Sequence, residues 1–295
     1  MTDLPSPGYP PADVEVTQSL VEQLVGDQFP ELAGAPVCFF GSGWDNTTYR
    51  LGSSLAVRMP RIEASVALLV LEQTRLPLLQ PHVDVLLPVP VHVGQPGRGY
   101  PWPWSIIPWR TGTTAAEADL CSDQAPRLGR ILRSLHEMDP AGLERSAWRG
   151  YPLAHRTDDL RAALRDLEPE GAIDGLAAVW EDALAAPCDA HDDRWVHADL
   201  HPKNILVQDG ALASILDWGD MTLGDRAIDL ASAWLLFDTR DHPRLWEAYG
   251  ATNEAMVRRA RGWAAFFIAM TLRTGRVSDP AMAEAAERAA SRLLG

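Results

Sequence analysis

Two short apolar runs joined by an Asp-Gly pair constrain the fold of this chain more than any other segment. The runs occupy residues 205–208 and 211–216, with Asp209-Gly210 between them. This pair strongly favours a two-residue β-hairpin turn, because both turn residues need a positive φ. The segment therefore predicts a hairpin in which Asn204 and Asp217 leave the paired strands at the same open end.

Three polar side chains around this hairpin have the spacing that phosphoryl transfer requires. Asp199 lies on the loop before Asn204, and Asp217 follows the second strand. The reaction needs an acceptor hydroxyl held in line, metal ions that bridge the phosphates, and a base near that hydroxyl. We predict that Asp199 is the base and that Asn204 and Asp217 bind Mg²⁺, which prefers hard oxygen donors.

The whole motif resembles the catalytic and metal-binding loops of the aminoglycoside phosphotransferase family, which are small-molecule relatives of the protein kinases. Their shared pattern is His-x-Asp-x4-Asn, a hairpin and Asp-x-Gly. In this chain the pattern is His197-Ala-Asp199, Asn204 and Asp217-Trp-Gly219. The resemblance implies an α+β, protein-kinase-like fold of two lobes. We expect a five-stranded antiparallel sheet in a nucleotide-binding lobe, residues 1–107, and a mainly helical lobe with the substrate pocket, residues 108–295.

The resemblance also implies the reaction. We expect transfer of the γ-phosphate of ATP or GTP, with Mg²⁺, to a hydroxyl group of a small molecule. An aminoglycoside or another antibiotic is the first candidate for the acceptor. Choline-like, sugar and homoserine acceptors occur in the family as well, so a metabolite kinase is an alternative.

Two other interpretations of the same residues stay open. Arg58 stands where kinases carry a lysine, so a nucleotide-binding pseudokinase is possible. His197, Asp199 and His201 alternate, and on a strand they would share one face, as metal ligands in a zinc or iron hydrolase do. Pro202, together with the lack of a further His or Cys pair, counts against that hydrolase.

The N-terminal region contains a glycine-rich segment that resembles the phosphate-covering loop of kinases. Ser42 and Gly43 belong to Gly-Ser-Gly after a predicted strand, where glycines let backbone amides approach phosphates. Further along, Ile107 and Trp109 lie in the expected hinge between the lobes, residues 107–112. The resemblance implies that backbone groups there hydrogen-bond the purine.

A cation for the phosphates is predicted on the third strand. Ala56 and Arg58 share one face of this strand, which makes Arg58 a better candidate than Arg61 beyond the following proline. Its acidic partner is expected on the next helix. We prefer Glu72 over Glu63, because Glu72 lies mid-helix beside apolar residues, where a charge most needs a partner.

Other polar residues near the motif have predicted structural roles. His197 is expected to support the catalytic loop, and Asp229, by the resemblance, to bind the backbone of that loop. His136 is interpreted as a packed core residue, and Asp225 as a cap on the helix that follows. Lys203, the only lysine, is interpreted as solvated or in contact with phosphate.

Apolar periodicity and turn residues predict the remaining elements. Strands are expected at 36–40, 47–51, 55–59, 83–93 and 100–107. Helices are expected at 14–28, 62–79, 127–138, 158–167, 175–186, from 224 onward, and through most of 238–295.

Composition limits the partners of the chain. A formal charge of −14 and a pI near 4.9 argue against nucleic acid as a partner and favour cationic small molecules. Acidic residues that can line a pocket for a polycation, or simply face solvent, are Asp220, Asp238, Asp241, Glu247 and Glu254.

The cellular location is predicted from what the chain lacks in sequence. Three scattered cysteines form no disulfide framework, which suits a reducing compartment. The amino terminus has no basic and apolar signal pattern, and the apolar windows are too short to span a bilayer. We therefore expect a cytoplasmic protein without a membrane partner.

Overall fold

An antiparallel sheet of five strands dominates the first part of the chain. The computed structural model describes residues 10–139, 145–146, 149–167, 175–188, 193–250 and 252–295. They divide into two compact units. The first unit runs to Pro81 and includes Leu86–Thr111, and the second comprises His82–Val85 and the described residues of Gly112–Gly295.

The sheet of the first unit has the strand order β1-β2-β3-β5-β4, and every neighbouring pair is antiparallel. Its elements are β1 (Val37–Ser42), β2 (Asn46–Leu51), β3 (Leu55–Pro60), β4 (His92–Gly94) and β5 (Trp104–Pro108), with helices α1 (Gln18–Gln28) and α2 (Val66–Leu79). This confirms the predicted five-stranded sheet and the α+β class.

Helix α1 packs its apolar face on the sheet, but it is shorter than the predicted 14–28. Thr17 has an extended backbone and its hydroxyl accepts the N–H of Leu20, which is how a threonine caps a helix. Val14 and Val16, before the cap, still pack on the core formed with Val21. The predicted helix therefore began too early, because the apolar spacing continues through Val14 and Val16, which precede the cap.

The predicted strand at 83–93 is wrong for most of its length, since only His92–Gly94 is β-strand. Pro88 and Pro90 have no backbone N–H to give to a ladder, which confines them to edges and irregular segments. Likewise β5 starts at Trp104 rather than at residue 100, because two prolines precede it.

Helices form most of the second unit, together with two small sheets. The strands are β6 (Thr113–Thr114), β7 (Asp193–Val196), β8 (Ile205–Gln208), β9 (Ala211–Ile215) and β10 (Thr222–Asp225). The helices are α3 (Gln124–His136), α4 (Thr157–Leu167), α5 (Leu176–Leu184), α6 (Ala227–Leu230), α7 (Ser232–Leu236), α8 (His242–Tyr249), α9 (Glu254–Ser278) and α10 (Pro280–Leu294).

Side-chain caps divide the predicted helical region 238–295 into separate helices. Gly250, with φ +92°, ends α8. Asn253 accepts the N–H of Met256 at the start of α9, and Asp279 accepts that of Met282 at the start of α10. No helix within the described residues is both long and apolar enough to cross a membrane.

The prediction of a helix from residue 224 is wrong at its start, because Gly224 and Asp225 lie in β10. This strand pairs with β7, in which Trp195 lies opposite Leu223. A Cβ at Gly224 would come within 2.9 Å of the Gly150 backbone, so glycine permits this close approach.

Candidate active site

The predicted hairpin is present. Asp209 and Gly210 both have positive φ, +52° and +76°, and they join β8 to β9. The N–H of Leu216 donates to the carbonyl oxygen of Asn204 at 2.8 Å, one residue beyond the strands. Asn204 and Asp217 therefore lie at the open end of the hairpin.

The loop before the hairpin brings Asp199 to the same end. The amide nitrogen of Asn204 donates to the Asp199 carbonyl oxygen at 2.9 Å and to its carboxylate at 3.3 Å. Because the nitrogen makes both contacts, Oδ1 of Asn204 is the side-chain atom that could bind a cation. This amide oxygen and the carboxylate of Asp217 are hard donors, and they fit the ligand preference of Mg²⁺.

His197 supports this loop from below and is fully buried. Its Nδ1 accepts the N–H of Asp199 at 3.3 Å, and its Nε2 donates to the carbonyl oxygen of Leu216 at 2.9 Å. Both ring nitrogens are thus committed to backbone groups, which disfavours the interpretation of His197 as a metal ligand. Among the described residues, no group of three or more His, Cys, Asp or Glu is placed to hold a metal.

Asp229 fixes the backbone of the catalytic loop. Its two carboxylate oxygens accept the N–H groups of His197 and Ala198 at 2.8 and 2.9 Å. Ala198 has a φ of +67°, a conformation that costs energy in a residue with a Cβ. Nε2 of buried His136 lies 3.2 Å from Asp229, and its Nδ1 lies 2.9 Å from the hydroxyl of Tyr249.

Arg149 was not predicted from the sequence, and it contacts Asp199 directly. Its Nη2 lies 3.2 Å from Asp199 and 2.8 Å from Asp220, and its Nε donates to Asp220 at 2.8 Å. The three side chains are only 24%, 19% and 21% exposed. Arg149 precedes Asp199 by 50 residues and belongs to no recognisable pattern, so no sequence signal indicated it.

This ion cluster determines the charge of the Asp199 carboxylate. Burial alone would raise the pKa of Asp199, but the guanidinium of Arg149, aided by His201, lowers the pKa below its usual value. Burial raises the pKa of Asp220 in spite of Arg149, and Asp199 raises it further. Burial opposes the charge of Arg149, yet its two carboxylate partners raise its pKa.

The residues that follow Asp199 along the loop also make polar contacts. Nε2 of His201 lies 3.5 Å from the Asp199 carboxylate, while Nδ1 of His201 accepts the N–H of Lys203. The Lys203 side chain is about half exposed, and its ammonium forms an ion pair with Asp279 at 2.5 Å. Lys203 therefore has a carboxylate partner within the chain, and its contact with phosphate stays a prediction.

The predicted ion pair of the first unit is present. Nη1 of Arg58 lies 2.6 Å from Oε2 of Glu72, and the side chains are 13% and 4% exposed. Arg61 instead donates to the carbonyl oxygen of Gly43, and Glu63 stands in the short 3₁₀ turn before α2. The expected contact between Arg58 and Glu72 is therefore observed, whereas their role in binding phosphate stays a prediction.

The Gly-Ser-Gly segment ends β1 and begins the turn to β2. The N–H of Gly43 donates to the carbonyl oxygen of Asn46, and the hydroxyls of Ser42 and Thr47 lie 3.1 Å apart. Neither Gly41 nor Gly43 has a positive φ, and an added Cβ would meet nothing closer than 3.9 Å. The chain itself thus supplies no steric reason for these glycines, whereas a ligand in close contact with the backbone would.

The residues predicted at the hinge end the last strand of the first unit. Ile107 pairs with Ala56 across β5 and β3. The N–H of Trp109 donates to the carbonyl oxygen of Ser54 at 2.7 Å, and its indole packs under the Arg50 guanidinium. Purine binding at Ile107 and Trp109 stays a prediction. Because the N–H of Trp109 is already bonded to Ser54, only the carbonyl oxygen of Trp109 is available for it.

Most acidic residues that were considered for a polycation pocket have other partners. Asp220 pairs with Arg149, as described above. Asp238 pairs with Arg292 and Arg240, and buried Asp241 accepts a hydrogen bond from the hydroxyl of Ser122. Glu247 and Glu254 are exposed. Asp225 accepts the N–H of Ala227, as a cap would, and forms a buried ion pair with Arg259 at 2.6 Å.

Solved structures of antibiotic phosphotransferases have the same fold as this chain. The GDP complex of aminoglycoside 2'-phosphotransferase-IIIa superposes with a TM-score of 0.69 at 20% identity, covering 95% of this chain and 99% of that one. Macrolide 2'-phosphotransferase MphH from Brachybacterium faecium gives 0.60 at 22% identity, covering 92% and 97%.

A third similar structure is spectinomycin phosphotransferase in complex with ADP and spectinomycin, with a TM-score of 0.66 at 14% identity, covering 93% and 98%. At these identities the likenesses show the fold alone. A search of the curated proteins found no match. A model of the phosphotransferase enzyme family, APH, matches residues 36–267, which is most of the chain. The chain therefore belongs to this family of nucleotide-dependent small-molecule phosphotransferases.

Proposed function

We propose that the protein transfers the γ-phosphoryl group of ATP or GTP to a hydroxyl group of a small molecule, with antibiotics as the first acceptors to test. The observation that carries this proposal is the convergence of Asp199, Asn204 and Asp217 at the open end of one hairpin. Membership of a phosphotransferase family supports the reaction type.

Each residue of this set has a distinct role in the proposed reaction. Asp199 orients the acceptor hydroxyl and takes its proton while the oxygen bonds to the γ-phosphorus and the bond to the β–γ bridging oxygen breaks. Oδ1 of Asn204 and the carboxylate of Asp217 would hold Mg²⁺, which neutralises phosphate charge when bound. The buried hydrogen bonds of His197 and Asp229 keep Asp199 in place.

The first unit supplies the proposed contacts to the nucleotide. Ser42 and Gly43 would cover the phosphates, and Arg58, held by Glu72, would neutralise them. Guanidinium binds phosphate with a fork of donors rather than a single ammonium, so the exchange of lysine for arginine alters the geometry of this contact. Backbone groups at Ile107 and Trp109 would bind the purine.

Antibiotic acceptors are proposed because several proteins with this fold act on them. These proteins include aminoglycoside, macrolide and spectinomycin phosphotransferases. If the acceptor is an antibiotic, the activity confers resistance. We also propose a cytoplasmic location, where nucleoside triphosphates are abundant and the three free cysteines stay reduced.

The test is a transfer screen read by mass. The full-length protein with Mg²⁺ and either ATP or GTP is incubated with aminoglycosides, macrolides, spectinomycin and hydroxylated metabolites. We expect a phosphorylated product from at least one antibiotic. Nucleotide binding without transfer to any acceptor would contradict the proposal and favour a pseudokinase.

The role of Asp199 is tested with a matched pair of substitutions. We expect Asp199→Asn to lower turnover about 10²–10⁴-fold, because the general base is lost, with nucleotide binding retained. Asp209→Asn makes the same chemical change in the hairpin turn, where asparagine is equally suitable, and should leave turnover unchanged. Full turnover in Asp199→Asn would remove Asp199 from this role.

A further inference from the structure

The guanidinium of Arg149 lies between two carboxylates at the proposed acceptor site. It makes two contacts to Asp220, each at 2.8 Å, and one to Asp199 at 3.2 Å. All three side chains are at least three-quarters buried. In such a site water screens charges weakly, so the pairing is worth more than on an open surface.

Arg149 thus occupies a position that an acceptor could otherwise fill with its own cation. Two carboxylates near a reacting hydroxyl would attract an ammonium group on the acceptor. Here the chain supplies that charge itself. A polycation would have to displace a guanidinium that already makes three contacts, or bind beside it against like-charge repulsion.

Other features of the unit also fail to favour a polycation. Asp238 is paired with arginines, and Asp241 is buried beside Ser122.

We propose that Arg149 determines acceptor specificity by neutralising Asp199 and Asp220, so that the site selects neutral or weakly basic hydroxyl compounds over polycations such as kanamycin. This inference rests on the proposed function, because it concerns the acceptor of that reaction. It places the polycationic aminoglycosides below less charged hydroxyl compounds in the expected order of acceptors.

The test measures kanamycin binding to the full-length protein by calorimetry, without nucleotide, at about 0.15 M salt. We expect weak binding to the wild type and about tenfold or tighter binding to Arg149→Gln, the size of one charge-assisted hydrogen bond gained. Adding Asp220→Asn to that variant should abolish the gain. Arg149→Lys keeps the charge and should bind kanamycin as weakly as the wild type.

A matched control separates the local charge from the overall charge. Arg145→Gln removes the same charge four residues earlier, where the arginine pairs with Asp193, and should bind kanamycin like the wild type. An equal gain in Arg145→Gln would overturn the proposal. So would tight binding to the wild type, a gain in Arg149→Lys, or a gain that persists without Asp220.

The two proposals fail in different experiments. Calorimetry without nucleotide detects cation binding even if the protein transfers no phosphate. The transfer screen detects product even if Arg149 has no effect on kanamycin. If Arg149→Gln does not fold, tight binding of kanamycin to the wild type would still overturn the inference.

Discussion

Burial separates the ion pairs of the first unit into strong and weak contributors to stability. The side chains of Arg58 and Glu72 are 13% and 4% exposed, whereas those of Arg98 and Asp27 are 51% and 46% exposed. Solvent screens the second pair, so its contribution is small. Removing one member of the first pair leaves a charge buried without its partner, which is costly.

We therefore expect Arg58→Met to lower the free energy of unfolding by about 3 kcal/mol, because Glu72 loses its cation in a buried setting. Arg98→Met, the same substitution in the same unit, should change it little. Denaturant unfolding followed by circular dichroism measures both. Equal effects of the two substitutions would show that burial does not decide the contribution of these pairs.

At the residue scale, the sequence predicted those site residues that belong to one local motif. Asp199, Asn204 and Asp217 lie within a short stretch whose hairpin turn is determined by two adjacent residues. Arg149 could not be predicted, because its contact with Asp199 arises from tertiary folding. An arginine outside a motif has no signal that distinguishes it from an arginine on the surface.

Two glycines at the end of β1 and in the turn that follows it are not required by the local structure. Gly41 and Gly43 have room for a side chain and no positive φ. Glycine weakens a strand relative to alanine, so its presence needs another reason. The proposed contact of this backbone with nucleotide phosphates supplies one.

Gly43→Ala should accordingly weaken ATP or GTP binding without destabilising the fold. The added methyl group lies where we propose that phosphates approach, while inside the chain it meets only the Asn46 carbonyl oxygen at 3.9 Å. Gly26→Ala, in α1 with open space around its Cβ, is the control and should raise stability by about 0.5–1 kcal/mol. Unchanged nucleotide affinity in Gly43→Ala, measured by calorimetry, would contradict this role of the turn.

The junction of α7 and α8 contains a histidine whose protonation opposes folding. Nε2 of His242 lies 3.0 Å from the carbonyl oxygen of Ala233, and burial lowers the pKa of His242 below 6.5 in spite of this hydrogen bond. Below that pH the unfolded chain binds a proton that the folded chain does not. Stability therefore falls as the pH falls through this range.

Lowering the pH from about 8 to about 5.5 should thus lower the unfolding midpoint of the wild type more than that of His242→Gln. Glutamine keeps a donor for the Ala233 carbonyl group but cannot be protonated. Thermal unfolding at the two pH values measures the difference. Identical shifts in the two proteins would exclude His242 as a source of acid sensitivity.

Elements were predicted well where their limits are local and poorly where they depend on distant partners. The turn of the β8–β9 hairpin is set by Asp209-Gly210. The pair β7–β10 was missed, because each strand has four residues and the two are separated by the whole catalytic segment. Residues 83–91 were misassigned because apolar content outweighed the two prolines.

At the scale of the whole molecule, a formal charge of −14 attracts any polycation without specificity. This attraction acts over a distance that shrinks from about 10 Å at 0.1 M salt to about 3 Å at 1 M. The carboxylates beside Arg149 are partly buried, so salt screens them less. Salt should therefore distinguish attraction by the overall charge from binding at Asp220.

We expect kanamycin binding to the wild type to vanish at about 1 M salt, whereas Arg149→Gln keeps measurable affinity, since partly buried pairs are screened less. Calorimetric titration at several salt concentrations provides the comparison. A parallel loss of affinity in both proteins would show that the gain in Arg149→Gln comes from overall charge.

The β8–β9 hairpin also limits how relatives of this chain can vary in length. The pairing already contains a bulge, because β9 has one extra residue opposite Leu206 and Val207. Outside this bulge successive side chains alternate between faces, so a further unmatched insertion or deletion in either strand would turn Asn204 or Asp217 away from the other. Changes in pairs, one residue in each strand, preserve the alignment and only move the turn. Homologues that keep the activity should therefore gain or lose residues here in matched numbers, whereas position 209 should keep Asp, Asn or Gly, which tolerate its positive φ.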